Sequence, residues 1–223
     1  YQAHAQRLAL MLQNQTEEEF ADSRFQVLSE LTRLRQLCCD PALVYENYEG
    51  GSAKLDLCIE LIQSAVESGH KILLFSQFTS MIEILTARLQ EESISYFVLQ
   101  GSTKKEQRAQ MVEQFNRDDT SVFCISLKAG GTGLNLTGAD IVIHYDPWWN
   151  VAVENQATDR AHRIGQKNVV TVYKLIAKGT IEEKIIKLQQ MKKELAEEIL
   201  AGDEIKTASF QREELLALLE ERF

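Results

Sequence analysis

An α/β fold, with a mostly parallel central sheet covered by helices and helical appendages at both ends, is predicted by three features of the 223-residue sequence. Short β-rich runs alternate with helical patterns between Lys54 and Gly179, the layout of strands joined by crossover helices. Two of those runs, Ile72-Leu73-Leu74-Phe75 and Ile141-Val142-Ile143, are continuously apolar, as suits strands buried on both faces. Before and after this region apolar residues recur at spacings of three and four, the mark of amphipathic helices.

Phe20, Val27, Leu28, Leu31, Leu34 and Leu37 carry the helical spacing up to Pro41, which stops it. The loop through Glu49-Gly50-Gly51-Ser52 marks a boundary between appendage and core. Strands are expected at Lys71–Phe75, Ser95–Leu99, Val122–Leu127, Ile141–Tyr145 and Val169–Ile176. Helices are expected at Ser80–Gln90 and Glu106–Phe115, the second started by a capping box of Thr103 and Glu106. After Gly179, Thr180 and Glu183 form another such box at the head of a long amphipathic helix from Ile181 to Leu200, and a shorter helix ends the chain. The chain thus divides into a helical lead-in (1–52), an α/β lobe (53–180) and C-terminal bracing helices (181–223). Ligands of such a sheet belong at the carboxyl ends of its strands.

A 44% hydrophobic composition suffices for one sizeable core plus appendages. No apolar run approaches the roughly 18 residues of a membrane span, and no basic-then-apolar leader opens the sequence, so a soluble protein without a membrane partner is expected. The chain starts at Tyr1 rather than a methionine and ends within a charged helical pattern, so it is expected to be a piece of something longer. Cys38, Cys39, Cys58 and Cys124 lack C-x-x-C spacing and sit in apolar surroundings, which fits a reducing, intracellular compartment. His4, His70, His144 and His162 show no ligand spacing to one another or to the cysteines, so no metal site is expected.

The net charge of −9 argues against nucleic-acid binding by the whole surface. The charge is uneven: residues 53–180 hold 13 basic and 14 acidic groups, whereas residues 1–52 hold 4 and 8 and residues 181–223 hold 7 and 11. A local basic groove is compatible with the middle region alone.

Gln156-Ala157-Thr158-Asp159-Arg160-Ala161-His162-Arg163-Ile164-Gly165-Gln166 is the most informative stretch. Gln156, Arg160 and Arg163 stand at i, i+4 and i+7, which on a continuous helix aligns them on one face. Two adjacent guanidiniums repel unless an anion lies between them, and a polyphosphate suits that place. A solvated or salt-bridged helix face is the plainer alternative. Lys128 through Leu136 is a glycine-bearing loop after a strand, able to bring backbone N–H groups close to a phosphate or ribose, or simply to turn. The chain has no Gly-Lys dipeptide, and no strand ends in the acidic pair that would hold Mg²⁺, so it looks like the half of an ATPase that supplies arginines. Asp146-Pro147-Trp148-Trp149-Asn150 closes a strand, with Pro147 breaking it and Asn150 placed to cap the next helix. Its two tryptophans suit either the core or contact with a ligand or base.

Jointly, these segments resemble the second RecA-like lobe of superfamily-two helicases, in the Swi/Snf-related branch of double-stranded-DNA translocases. Leu31 through Pro41 resembles the segment leading into that lobe, and Ser52-Ala53-Lys54-Leu55 its Ser-Gly-Lys-Leu start, with alanine for glycine. Phe75-Ser76-Gln77-Phe78 is similar to motif IV, Gly101-Ser102-Thr103 with Arg108 to the next strand-end motif, Lys128–Leu136 to motif V and Gln156–Gln166 to motif VI. Val151 stands where the branch usually has proline.

The resemblance implies that Arg160 and Arg163 reach the γ-phosphate of ATP bound, with Mg²⁺, on a first lobe of the same polypeptide. Gly131, Gly133, Asn135 and Gln156 would lie near the nucleotide. Lys54, Gln77, Ser102, Ser126, Lys128 and Trp148 would face duplex DNA, mostly at phosphates. A DNA-bound protein client is a further implied partner; the acidic ends and the lack of long basic insertions favour a bacterial cytoplasm or nucleoid over a nucleus as the expected place. An RNA or single-strand helicase lobe and a non-catalytic interaction domain are the alternatives.

Overall fold

The computed structural model describes residues 1–127, 129, 133–163, 165–199, 215, 216 and 219, with the backbone alone over 191–199. It divides into two compact units, Asn47–Ile176 and Tyr1–Glu46 together with Ala177–Phe223.

The first unit is the α/β lobe. Its sheet has five strands, β1 (Ile72–Ser76), β2 (Tyr96–Leu99), β3 (Val122–Ser126), β4 (Ile141–His144) and β5 (Thr171–Lys174), in the order β2-β3-β1-β4-β5. Every pairing is parallel, so all strand carboxyl ends lie on one edge. The expected mostly parallel α/β sheet is therefore observed. β1, β3 and β4 are buried at every residue. β5 is shorter than expected and exposed along its length, and among the described strands it pairs with β4 alone.

Helices α3 (Ala53–Glu67), α4 (Thr79–Glu91), α5 (Lys105–Phe115) and α6 (Val151–Thr158) complete the unit. Alternation along the strands assigns two sets of side chains to opposite faces. Leu73, Phe75, Phe123, Ile125 and Val142 form one buried cluster with Phe115 and Ala157, against which Met111, Val112 and Val153 pack. α5 and α6 therefore cover that face. α3 was not singled out in the sequence, although Leu55, Cys58, Ile59, Ile62 and Ala65 carry its buried stripe and Ser52 caps it at Leu55 N–H (3.4 Å).

The expected Thr103–Glu106 box does not form. α5 is N-capped by Lys104 without a side-chain bond, and Thr103 Oγ1 instead accepts from Gln100 N–H at 3.1 Å. Thr103 N–H also bonds Gln100 C=O, so a turn claims the threonine before the helix can. At Thr180 the expected partners are present but wired differently: Thr180 Oγ1 accepts from Glu182 N–H, and Glu183 accepts from Gly179 N–H rather than Thr180 N–H.

The second unit contains α1 (Gln2–Gln13), α2 (Glu17–Cys39), a 3₁₀ turn (Pro41–Leu43) and α7 (Ile181–Ile199). Thr16 and Glu19 make a complete capping box for α2, and Asp40 ends that helix while accepting from Ala42 N–H at 2.8 Å. Tyr1 Oη accepts from Ile181 N–H at 2.6 Å, which joins the two ends of the chain. The expected C-terminal helix lies outside the described residues apart from Leu215, Leu216 and Leu219. No helix among the described residues is long and apolar enough to cross a membrane.

Phe123 is fully buried between Phe115 and Phe97, with ring centroids 5.2 and 5.8 Å away. Phe123→Ala is expected to destabilise the α/β unit by about 3–5 kcal/mol, read as a lower urea midpoint.

Candidate functional site

Because all five strands run the same way, the loops that follow them gather on one edge of the sheet. At its centre Asp146, 1% exposed, ties β1 to β4. It accepts from Ser76 Oγ at 2.5 Å and from Gln77 N–H at 3.3 Å, and Ser76 Oγ in turn accepts from Phe78 N–H. The carboxylate thus closes two strand ends that would otherwise leave donors unsatisfied.

Along the same edge the structure places Gln77 after β1, Ser102 after β2 and Ser126 as the last residue of β3, in register with Ser76. Ser102 is exposed, whereas Ser126 is buried. Lys54, in the first turn of α3, has its ammonium 5.2 Å from the ring centroid of Tyr145, just after β4. Trp148 is half-buried and packs against the α5–α6 face of the core. Its backbone N–H donates to Glu154 (2.6 Å), a buried carboxylate on α6 that also pairs with Lys174 of β5. Lys128 and Gly131 lie outside the described residues.

Arg108 organises the neighbouring loops with one guanidinium. Nε donates to Thr103 C=O, Nη1 to Ala129 C=O, and Nη2 to Gln100 and Gly101 C=O, at 2.8–3.3 Å. Asn116 holds the loop before β4, donating to Asn135 C=O (2.8 Å) and accepting from Gly138 N–H (2.9 Å). The approach is close enough that a Cβ on Gly138 would stand 3.0 Å from Asn116 Oδ1, so only glycine fits without displacement.

The arginines do not share a helix face. α6, capped by Asn150 at Ala152 N–H as expected, ends at Thr158. Gln156 is exposed on the helix, and Arg160 and Arg163 follow in a turn beyond it. The helix stops because tertiary partners take the next carbonyls: Leu136 N–H donates to Arg160 C=O (3.0 Å), and Gln166 Nε2 donates to Ala161 C=O (3.1 Å). Gln166 Nε2 also reaches Thr137 and Ala139 C=O (3.2 and 2.7 Å), and its Oε1 accepts from Asn168 N–H. One amide side chain therefore pins the arginine turn to the loop before β4. The sequence showed Gln166 only as the end of motif VI.

The two guanidiniums have unlike surroundings. Arg163 is exposed and donates from Nη1 to Gly133 C=O at 3.0 Å, while exposed Asn135 follows two residues on. Arg160 is 3% exposed, and its Nη1 has no hydrogen-bond partner among the described residues. Burial, and secondarily the charge of Arg163, push its pKa down to about 10, so it remains a cation at neutral pH. Nearby His144, with Nε2 3.0 Å from Thr158 Oγ1, is held by burial at a pKa of about 4 and is neutral. Glu154 draws that value up, whereas Lys174 and Arg160 press it down. A buried arginine with an unused donor beside an exposed one suits an oxyanion ligand. Among the described residues no group of three or more His, Cys, Asp or Glu could hold a metal ion.

Residues 53–165 match the helicase conserved C-terminal domain family. An uncharacterized ATP-dependent helicase of Mycoplasma pneumoniae is 45% identical over 202 residues, covering 89% of this chain and 19% of that protein. The chain spans about one fifth of the length of the curated bacterial relatives it matches. The Sulfolobus solfataricus SWI2/SNF2 ATPase C-terminal domain superposes with a TM-score of 0.77 at 31% identity, covering 99% of this chain and 91% of that one. The Sulfolobus solfataricus SWI2/SNF2 ATPase core in complex with double-stranded DNA gives 0.74 at 33% identity, over 90% of this chain and 42% of that one. A parallel α/β lobe with these loops at its carboxyl edge, similar along nearly its whole length to such a domain, belongs to the helicase conserved C-terminal domain family as a SWI2/SNF2-type C-terminal lobe.

Proposed function

We propose that this chain is the second lobe of an ATP-dependent double-stranded-DNA translocase, and that it supplies arginines to ATP held, with Mg²⁺, on a first lobe outside this chain. The observation that carries this reading is the arginine turn: Arg163 exposed at the carboxyl edge, and Arg160 beneath it as a buried cation whose Nη1 donor is unused among the described residues. Arg163 is the group that meets the γ-phosphate first. Arg160 follows once the surrounding loops admit the phosphate, which would satisfy the donor that the structure leaves unmatched. Positive charge placed against the transferring phosphoryl group stabilises its transition state, with little covalent chemistry needed from the protein.

Gly133 borders Arg163, and with Gly131, Asn135 and Gln156 it would line the ribose and phosphate side. Lys54, Gln77, Ser102, Ser126, Lys128 and Trp148 would form the DNA side. The likeness to a core bound to double-stranded DNA supports a duplex partner. Contacts dominated by Lys, Ser and Gln would read phosphates and so accept any sequence. Burial of Ser126 gives that residue a supporting place behind the exposed contacts. Closure of the two lobes on ATP, and opening after hydrolysis, would move the pair along the duplex.

In the full-length parent protein, steady-state ATP turnover is expected to rise with duplex DNA, and Arg163→Ala should lower kcat by roughly 10³-fold. A preference for single strands would assign the chain to a strand-separating helicase instead, and unchanged turnover in the variant would leave the arginine turn merely structural. The isolated chain is expected to show no ATP turnover; turnover that Arg163→Ala abolishes would refute this. Lys54→Ala should weaken duplex binding equally for unrelated sequences and reduce the slope of log affinity against log salt by about one, measured by fluorescence anisotropy across a salt series.

A further inference from the structure

At the amino edge of the sheet, opposite the arginine turn, side chains from three neighbouring strands meet. His70, Asp140 and Asn168 shortly precede β1, β4 and β5, which lie side by side. His70 Nδ1 stands 2.9 Å from Asp140 Oδ2, and Asn168 Nδ2 donates to the same oxygen at 3.0 Å. Asp140 is 7% exposed, and its other oxygen, Oδ1, has no hydrogen-bond partner among the described residues. Oδ2 alone suffices to clamp the strand starts, whereas a desolvated carboxylate oxygen without a donor is destabilising unless a ligand answers it.

His70 and Asp140 line a cavity of about 260 Å³, to which Leu61 and Ala65 of α3, Ile143 of β4 and Tyr173 of β5 contribute apolar wall. That is below the roughly 300–1,000 Å³ of sites for drug-sized ligands and suits one long side chain. Among the described residues no lysine or arginine lines it. Exposed Glu60 and Glu67 share a face of α3 with Ser64 of the cavity wall, at i, i+7 and i+4, so the mouth is acidic. An arginine or lysine matches this chemistry, with its stem along the apolar walls and its charged head at Oδ1.

The β5 wall of the cavity belongs to a strand that, among the described strands, pairs with β4 alone. Thr171 and Leu175 N–H donate to Asp140 and His144 C=O, so the parallel ladder turns the backbone of Val172 and Lys174 to the other side. An extended segment can add there as a further strand. We propose that this groove binds a basic, extended segment of a partner protein, which lies along β5 and places an arginine or lysine side chain against Asp140. The net charge of −9 on this chain favours a basic partner over a second copy.

The test uses the full-length parent protein and fluorescence anisotropy. The probes are a labelled hexapeptide of alternating valine and threonine around one arginine, and the same peptide with citrulline, the uncharged isostere, in its place. The arginine peptide is expected to bind roughly tenfold more tightly, and Asp140→Asn to abolish that preference. Ser64→Lys puts an ammonium at the exposed mouth and leaves Asp140 and its partners intact. It should weaken the arginine peptide by roughly tenfold with the thermal unfolding midpoint and duplex-stimulated ATP turnover unchanged, which keeps the test decisive if Asp140→Asn does not fold. Equal affinity for the two peptides, or arginine-peptide binding unaffected by Ser64→Lys, would overturn the proposal. A benzophenone side chain in place of Ser64 should cross-link to the arginine peptide. A cross-link formed without peptide, within one polypeptide or between two, would assign the groove to a segment of the parent or to a second copy and equally overturn it.

Discussion

β1 and β4 run side by side through the middle of the sheet with no residue in water, so the polar groups that they carry must appear at their ends. The parallel arrangement sends all those ends to one edge, where the backbone no longer finds partners within the ladder. Asp146 resolves that requirement for the central pair by accepting from Ser76 and Gln77. Arg108 and Asn116 do the same for the flanking loops, from α5 and from the residue after it. The edge is consequently ordered by side chains that the site itself does not spend on a ligand.

Within that frame the arginine turn has a division of labour. Arg163 stands in water, and among the described residues its guanidinium makes one bond, to a backbone carbonyl, which an anion can replace at small cost. Arg160 is desolvated and keeps its charge, so an oxyanion brought to it would interact in a low-dielectric setting, where attraction is strongest. Gln166 keeps the turn from drifting, because one amide answers three carbonyls from both sides of the loop. In the proposed translocase the same rigid edge would also carry the DNA contacts, so a change at the nucleotide would be felt a few residues away through shared loops.

Much of this was legible in the residues. Continuous apolar runs named β1 and β4 to within about one residue, and Asn150 capped α6 as its place after Pro147 suggested. α3 and the Thr16–Glu19 box were equally readable but not singled out, since both follow local rules. The errors lie where a local rule met a tertiary competitor. Thr103 was drawn into a turn by Gln100, and the helix that periodicity extended through Arg163 stopped at Thr158 because Leu136 and Gln166 claimed the carbonyls beyond it.

By itself the sequence determined the α/β class, the direction of the strands and the family, because burial on both faces forces an apolar run, and the ordered motifs are specific in combination. Only the tertiary structure decided that Arg160 and Arg163 occupy different environments, that the Phe75 ring lies against the buried one, and that the two chain ends form one unit. Those facts depend on contacts between residues such as Phe75 and Arg160, far apart in the chain, and no spacing along the chain encodes which carbonyl or ring a distant side chain will meet.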